Sequence, residues 1–121
     1  MLNVKKYTKE DYKRMISKAL ENVLGCDCVV IFFGSILNER FNRTSDIDVA
    51  IFTGKELSGK EYVKILQEID ELPMLREVDI VDLAAVYNYD YLKSIMATGE
   101  VWRSTQELMS SLKNRLQSLK K

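Results

Sequence analysis

Apolar residues recur every three or four positions in two segments, one near the N-terminus and one in the middle of the chain, with the spacing typical of amphipathic helices. The first segment follows Thr8, a helix-capping residue with Asp11 three positions on. The second begins at Ser58, which has Glu61 in the same relation, and Pro73 interrupts its pattern. We therefore predict two helices, whose apolar positions are Tyr12, Ile16, Ala19, Leu20 and Val23 in the first and Tyr62, Ile65, Leu66 and Ile69 in the second.

Two further helices are predicted in the C-terminal half. One spans residues 89–98 and is closed by Gly99 in the C-cap position. The other is an amphipathic helix at about residues 104–121, with Ser104 and Glu107 as its capping box. Its apolar stripe either covers the sheet or docks a partner protein or a second copy of the chain. The stripe consists of Leu108, Leu112, Leu116 and Leu119.

Apolar runs between these helices predict β-strands. Residues 28–33 form an unbroken apolar run, which is typical of a strand covered on both faces. Residues 45–52 and 77–83 predict two more strands, and residues 101–103 a short edge strand. Helices and strands alternate without a Gly- or Ser-rich linker, and the chain has 121 residues, of which 46% are hydrophobic. We expect one α/β domain over residues 1–121.

Composition excludes several classes of function. Lys plus Arg and Asp plus Glu number 18 each, so no general nucleic-acid binding is expected. No apolar run reaches the roughly 20 residues of a membrane helix, and the N-terminus lacks the apolar core of a signal peptide, so we expect a cytoplasmic protein. The chain has no His, which excludes His-dependent catalysis and, with only Cys26 and Cys28, the usual zinc sites.

The candidate chemistry begins with two aspartates in the strand at residues 45–52. Asp46 and Asp48 are two positions apart, so in a strand they share one face at a separation of about 7 Å. Two like charges on a partly covered face repel each other unless a cation lies between them. Carboxylate oxygens are the ligands that Mg²⁺ prefers, so the pair predicts a divalent metal site.

A third carboxylate and a phosphate-binding turn complete the candidate site. Asp79 and Asp82 both lie in the strand at residues 77–83, but their odd separation places them on opposite faces. We favour Asp79 as the third carboxylate, with Asp82 as the alternative. The preceding strand runs into Gly34 and Ser35, where a residue without a Cβ lets a phosphate approach the backbone amides.

These motifs resemble a known family. A Gly-Ser pair, the segment SDIDVAIF with its aspartates twelve and fourteen residues after the glycine, and the later VDIVDL are similar to the minimal nucleotidyltransferases. These MNT proteins belong to the DNA polymerase beta superfamily. The resemblance covers residues 25–103, including IMATGEVWR after the third carboxylate. It implies a nucleotidyltransferase fold, with a mixed, twisted sheet and helices packed mainly on one face.

The resemblance also implies the roles of site residues. Two Mg²⁺ ions would be bound by Asp46, Asp48 and Asp79, which are the expected catalytic residues.

Residues that bind the nucleotide are expected around the Gly-Ser turn. Gly34 and Ser35 would hold the triphosphate, and we place Ser45 in the same set. Many family members continue the pair with an arginine, whereas this chain continues Ile-Leu-Asn-Glu. Arg40 and Arg43 are therefore the expected phosphate contacts.

The implied reaction is nucleotidyl transfer, in which AMP from ATP, or a nucleoside monophosphate from another triphosphate, passes to a hydroxyl group. MNT proteins act as antitoxins of HEPN toxins, so the resemblance implies a HEPN-type protein partner that is either modified or bound. Two alternatives remain open at this point. The chain either binds nucleotide and masks a partner with little or no catalysis, or it is a receiver-like domain with an acidic pocket for phosphorylation.

Overall fold

The computed structural model describes residues 7–42, 44–74 and 76–120. None of the helices in these ranges is both long and apolar enough to cross a membrane. Four helices and four strands make up the regular structure of these ranges, with short 3₁₀ turns at Gly34–Leu37 and Leu83–Ala85. In chain order they are α1 (Lys9–Leu24), β1 (Val29–Phe33), β2 (Ile47–Phe52), α2 (Gly59–Asp70), β3 (Val78–Asp82), α3 (Tyr89–Thr98), β4 (Glu100–Arg103) and α4 (Gln106–Leu119).

The four strands form one mixed sheet in the order β3-β2-β1-β4. β1 is antiparallel to both β2 and β4, and β2 is parallel to β3. A parallel pair needs a long crossover connection, which α2 supplies here. The α/β class and the mixed sheet expected from the sequence are therefore confirmed.

The family resemblance implied helices packed mainly on one face of the sheet. In the structure, the helices instead divide between its two faces. α1 and α2 contribute Ile16, Leu20 and Ile65 to a core on one face, and α3 and α4 contribute Leu92, Ile95 and Leu112 to a core on the other. The reason lies in β1 and β2, whose apolar side chains alternate between the two cores: Val30, Phe32, Val49 and Ile51 on the α1/α2 face, and Val29, Ile31, Ala50 and Phe52 on the α3/α4 face.

The capping boxes expected for the first two helices are both present. Thr8 accepts a hydrogen bond from the Asp11 amide, and the Asp11 carboxylate accepts one from the Thr8 amide. Ser58 and Glu61 make the same reciprocal pair at the start of α2. These contacts satisfy backbone donors that have no partner within the helix.

The last helix begins one residue later than the sequence indicated. Thr105, and not Ser104, is its N-cap, and the Thr105 hydroxyl accepts a hydrogen bond from the Leu108 amide. Its leucine stripe packs on the sheet, where Leu112 is fully buried and Leu108, Leu116 and Leu119 are partly buried. The stripe therefore covers the sheet, which is one of the roles expected for it.

Candidate functional site

Two carboxylates lie side by side in the centre of the candidate site. Asp48 in β2 and Asp79 in β3 are direct partners in the parallel register, on strands about 4.8 Å apart. Both side chains point to the α3/α4 face, because Ala50 and Val81, two positions further along each strand, belong to the core there. The fold therefore brings two of the three expected carboxylates together.

The environment of Asp48 disfavours its ionised form. Partial burial is the largest cause that raises the Asp48 pKa, followed by the negative charges of Asp79 and Asp46. The Asp48 and Asp79 carboxyl groups are also close enough to share a hydrogen bond when one is protonated, which raises the Asp48 pKa further. Without a cation, the pair carries a repulsive energy that a bound positive charge would relieve.

The glycine of the Gly-Ser pair lies directly against this carboxylate pair. Phe33, the last residue of β1, is the register partner of Asp48, and Gly34 follows with a φ of +78°. A Cβ on Gly34 would come closer to Asp48 Oδ2 than the 3.0 Å that real Cβ atoms observe. Both the backbone angle and the lack of space therefore require glycine here.

Asp46 lies at the edge of the site rather than within the strand. β2 begins at Ile47, whose amide donates to Glu77 O at 2.9 Å and so starts the pairing with the β3 segment. The Asp46 side chain is exposed, and its main-chain oxygen accepts a 3.4 Å hydrogen bond from Ser35 Oγ. Ser35 thus links the glycine turn to the residue that carries the first carboxylate.

The other expected nucleotide-binding residues lie in the connection between the glycine turn and β2. Ser45 is half-buried, and its hydroxyl accepts a 3.0 Å hydrogen bond from the Asn42 amide. Arg40 is exposed, and its main-chain amide donates to Asn38 Oδ1 at 2.8 Å. Arg43 lies outside the described residues, so its predicted phosphate contact stays a prediction.

Asp82, the alternative third carboxylate, has a structural role. Its oxygens accept hydrogen bonds from the amides of Leu57 at 2.8 Å and Ala84 at 3.1 Å. It therefore caps the 3₁₀ turn after β3 and fixes the chain that leads into α2. It lies three positions beyond Asp79, towards the opposite face of the sheet, as the odd spacing indicated.

Tyr91 borders the carboxylate pair. The sequence alone did not assign Tyr91 to the site. Its ring makes an edge contact with Phe33 at a centroid distance of 6.4 Å, and 44% of the residue is exposed. Burial is the largest cause that raises the Tyr91 pKa, and the charges of Asp48 and Asp79 add to it. Three tyrosines follow β3 closely, and only the fold of α3 distinguishes Tyr91 from Tyr87 and Tyr89.

The donor set fits a hard divalent cation. Asp48 and Asp79 present carboxylate oxygens side by side, which are the donors that Mg²⁺ prefers. Across the ranges that the structure describes, no group of three or more His, Cys, Asp or Glu residues is already arranged to hold a metal ion. The fit of a divalent cation therefore depends on Asp48 and Asp79. Asp46, whose charge acts on Asp48, is the additional carboxylate.

Comparison with known proteins shows the family. The model of the family described as polymerase beta nucleotidyltransferase matches residues 10–108, which include both strands of the carboxylate pair and the glycine turn. The chain belongs to this nucleotidyltransferase family, as its sequence motifs indicated. A search of the curated proteins finds no match.

Solved structures share the fold. One chain of the crystal structure of a toxin-antitoxin with AMP-PNP has a TM-score of 0.70 and 20% identity, over 88% of this chain and 85% of that one. The toxin-antitoxin MntA-HepT gives a TM-score of 0.58 and 19% identity, over 88% and 82%. A rebuilt structure of the tri-AMPylated Shewanella oneidensis HEPN toxin in complex with MNT antitoxin gives 0.63 and 20%, over 92% and 85%.

Proposed function

We propose that this protein transfers AMP from ATP to a hydroxyl group of an acceptor, in a reaction that depends on a divalent metal. One observation carries the proposal: the paired carboxylates of Asp48 and Asp79 lie directly against a glycine turn at which the chain admits no side chain. A phosphate can approach the backbone at such a turn, and the carboxylates would supply oxygen ligands to the metal ion that accompanies the triphosphate. Family membership supports the same reaction class.

Each site residue has a distinct task in this proposal. Asp48 and Asp79, together with Asp46, would hold Mg²⁺, as two ions in the arrangement that the sequence resemblance implies. When bound, Mg²⁺ neutralises charge on the triphosphate and lowers the pKa of the acceptor hydroxyl. Gly34 provides access to the backbone amides of the turn, and Ser35 holds that turn against the segment carrying Asp46.

The remaining residues would contact the phosphates and the nucleobase of the substrate. Ser45, Arg40 and Arg43 are our proposed contacts to the triphosphate, because they belong to the connection that leads from the glycine turn to Asp46. The Tyr91 ring, held by Phe33 at the border of the site, offers an aromatic face or a hydroxyl to the substrate.

We propose a HEPN-type protein as the acceptor. The structures that share this fold include a tri-AMPylated HEPN toxin in complex with MNT antitoxin, and a toxin-antitoxin with AMP-PNP. The described chain folds around one sheet, and its helices cover that sheet on both faces. An acceptor presented by another protein is consistent with this architecture.

A second function follows from one observation at the turn. The position after Gly34 and Ser35, where the family resemblance led us to expect an arginine, holds Ile36, a residue that is 1% exposed and belongs to the α1/α2 core. No cation therefore extends from this position to the phosphates. In the alternative, the protein binds nucleotide and masks its partner without appreciable transfer.

A transfer assay separates the two functions. The protein is incubated with Mg²⁺, labelled ATP and a HEPN-type protein from the same genome, and intact-mass spectrometry looks for added AMP. We expect a mass gain on the acceptor that disappears in Asp48→Asn and persists in Asp70→Asn, an exposed carboxylate at the end of α2. Nucleotide binding without any mass gain would favour the binding module. A gain that persists in Asp48→Asn would contradict the assigned site.

A further inference from the structure

Arg76 holds an unusual position between the core and the candidate site. It precedes β3, and its guanidinium carbon lies 4.2 Å from the centroid of the Phe41 ring and 4.8 Å from that of Tyr12. Its Nη1 also donates to two main-chain oxygens, Asn42 O at 2.5 Å and Ser45 O at 3.0 Å. One side chain thus ties α1 and the β3 segment to the chain between the glycine turn and β2.

The segment that Arg76 contacts has no helix or strand of its own to fix it. We call residues 38–42 and 44–46 the connecting segment; it joins the Gly34–Leu37 turn to β2. Its internal hydrogen bonds are local, such as Phe41 N to Asn38 O at 3.4 Å and Ser45 N to Asn42 O at 3.2 Å. Local bonds of this kind define a loop but do not orient it relative to the sheet.

Contacts from outside the segment supply that orientation. Lys9 Nζ donates to Asn38 O at 2.7 Å at the beginning of the segment, and Arg76 donates to Ser45 O at its end, one residue before Asp46. Bonds from a charged donor are stronger than neutral ones, and a planar guanidinium can both stack on rings and bridge two carbonyls. Ser35 Oγ donates to Asp46 O at 3.4 Å, and Arg76 is the charged side chain that holds the neighbouring residue, Ser45.

We propose that Arg76 is a positioning residue for nucleotide binding, and this inference rests on the proposed function. By stacking between Tyr12 and Phe41 and bridging Asn42 and Ser45, Arg76 fixes the connecting segment so that Asp46 faces the same site as the glycine turn. Its guanidinium is engaged by protein groups and does not contact the nucleotide.

Arg115 provides a matched control elsewhere in the fold. It too donates to two main-chain oxygens, Leu83 O at 3.0 Å and Val86 O at 2.7 Å, and lies 5.0 Å from the Tyr87 ring centroid. Arg115→Met therefore removes a comparable set of contacts from a different loop. A loss of affinity that stems from lower stability alone would be similar in Arg115→Met and Arg76→Met.

The experiment measures Mg²⁺·ATP binding by calorimetry, at a temperature where circular dichroism shows every variant folded. We expect Arg76→Met to bind about ten-fold more weakly than wild type or worse, a change of about 1.4 kcal/mol. Arg76→Lys should be intermediate, because an ammonium retains the charge but can neither stack as a plane nor bridge both carbonyls. Arg115→Met should bind within about two-fold of wild type.

Amide hydrogen exchange provides a readout that does not depend on nucleotide. The amides of Phe41 and Ser45 should exchange faster in Arg76→Met than in Arg115→Met, because the connecting segment has lost its anchor. Weaker binding with unchanged exchange at these amides would mean that Arg76 contacts the nucleotide directly, which overturns the positioning role.

The wild-type titration distinguishes the two possible failures. If wild type binds Mg²⁺·ATP and Arg76→Met binds it equally well, the inference about Arg76 is wrong while the proposed function stands. If wild type itself binds no Mg²⁺·ATP, the proposed function is wrong, and the positioning role falls with it.

Discussion

Gly34→Ala tests whether the glycine turn and the carboxylate pair form one site. Gly34 has a φ of +78°, and an alanine held there costs about 1–3 kcal/mol of stability. The new Cβ would also overlap Asp48 Oδ2, so the carboxylate must leave its rotamer, which costs about 0.5–1.5 kcal/mol more. The expected total loss in the free energy of unfolding is about 1.5–4.5 kcal/mol.

Gly25→Ala separates the two costs. Gly25 has nearly the same φ, +76°, but nothing within 4 Å of the position its Cβ would take. Urea unfolding of both variants should therefore show a larger loss for Gly34→Ala, by roughly the rotamer cost of about 0.5–1.5 kcal/mol. Mg²⁺·ATP affinity should fall in Gly34→Ala alone. Equal stability losses and an unchanged affinity would refute the contact between turn and carboxylate.

Three further substitutions have defined outcomes. The raised Asp48 pKa means that the folded protein binds this proton more tightly than the unfolded chain, so the contribution of Asp48 to wild-type stability falls as the pH rises from 3.8 through the raised pKa. Asp48→Asn should lack that fall and have the higher urea midpoint at neutral pH without metal; a lower midpoint would make Asp48 a structural residue. Asp82→Ala should lower stability by about 2–4 kcal/mol in urea unfolding, because the amides of Leu57 and Ala84 lose their acceptor. Leu112→Ala should cost about 2–5 kcal/mol in the same assay, since this side chain is fully buried, and a loss under 1 kcal/mol would place α4 outside the core.

Local patterns in the sequence predicted the elements well. The capping boxes at Thr8 and Ser58 depend on residues three positions apart, so sequence alone locates the helix starts. The start of α4 differed by one residue because Ser104 and Thr105 are adjacent and both are good caps. Nothing local decides which of two neighbouring hydroxyls reaches the amide.

The distribution of helices over the sheet shows a different limit. The resemblance implied helices mainly on one face, yet the unbroken apolar run at residues 28–33 already indicated a strand covered on both faces. The structure agrees with the run, since Val29 and Val30 are both fully buried in opposite cores. For the distribution of the helices, the apolar run therefore gave a more accurate prediction than the family resemblance.

The candidate site was predictable where its chemistry is local. Asp48 and Gly34 were identified from spacing within one segment, and Asp79 was preferred over Asp82 from the alternation of strand faces. Arg76 carried no such signal, because its partners lie more than 30 residues away along the chain and meet it only in the folded protein. Tyr91 likewise comes to lie beside the carboxylate pair only through the packing of α3.

A crystal structure with Mn²⁺ and a non-hydrolysable ATP analogue would test the proposed site most directly, because Mn²⁺ is located by its anomalous scattering. We expect an anomalous peak about 2.0–2.3 Å from carboxylate oxygens of Asp48 and Asp79, with the triphosphate at the Gly34 turn. A triphosphate bound elsewhere, with no metal at this carboxylate pair, would contradict the site and the proposed function.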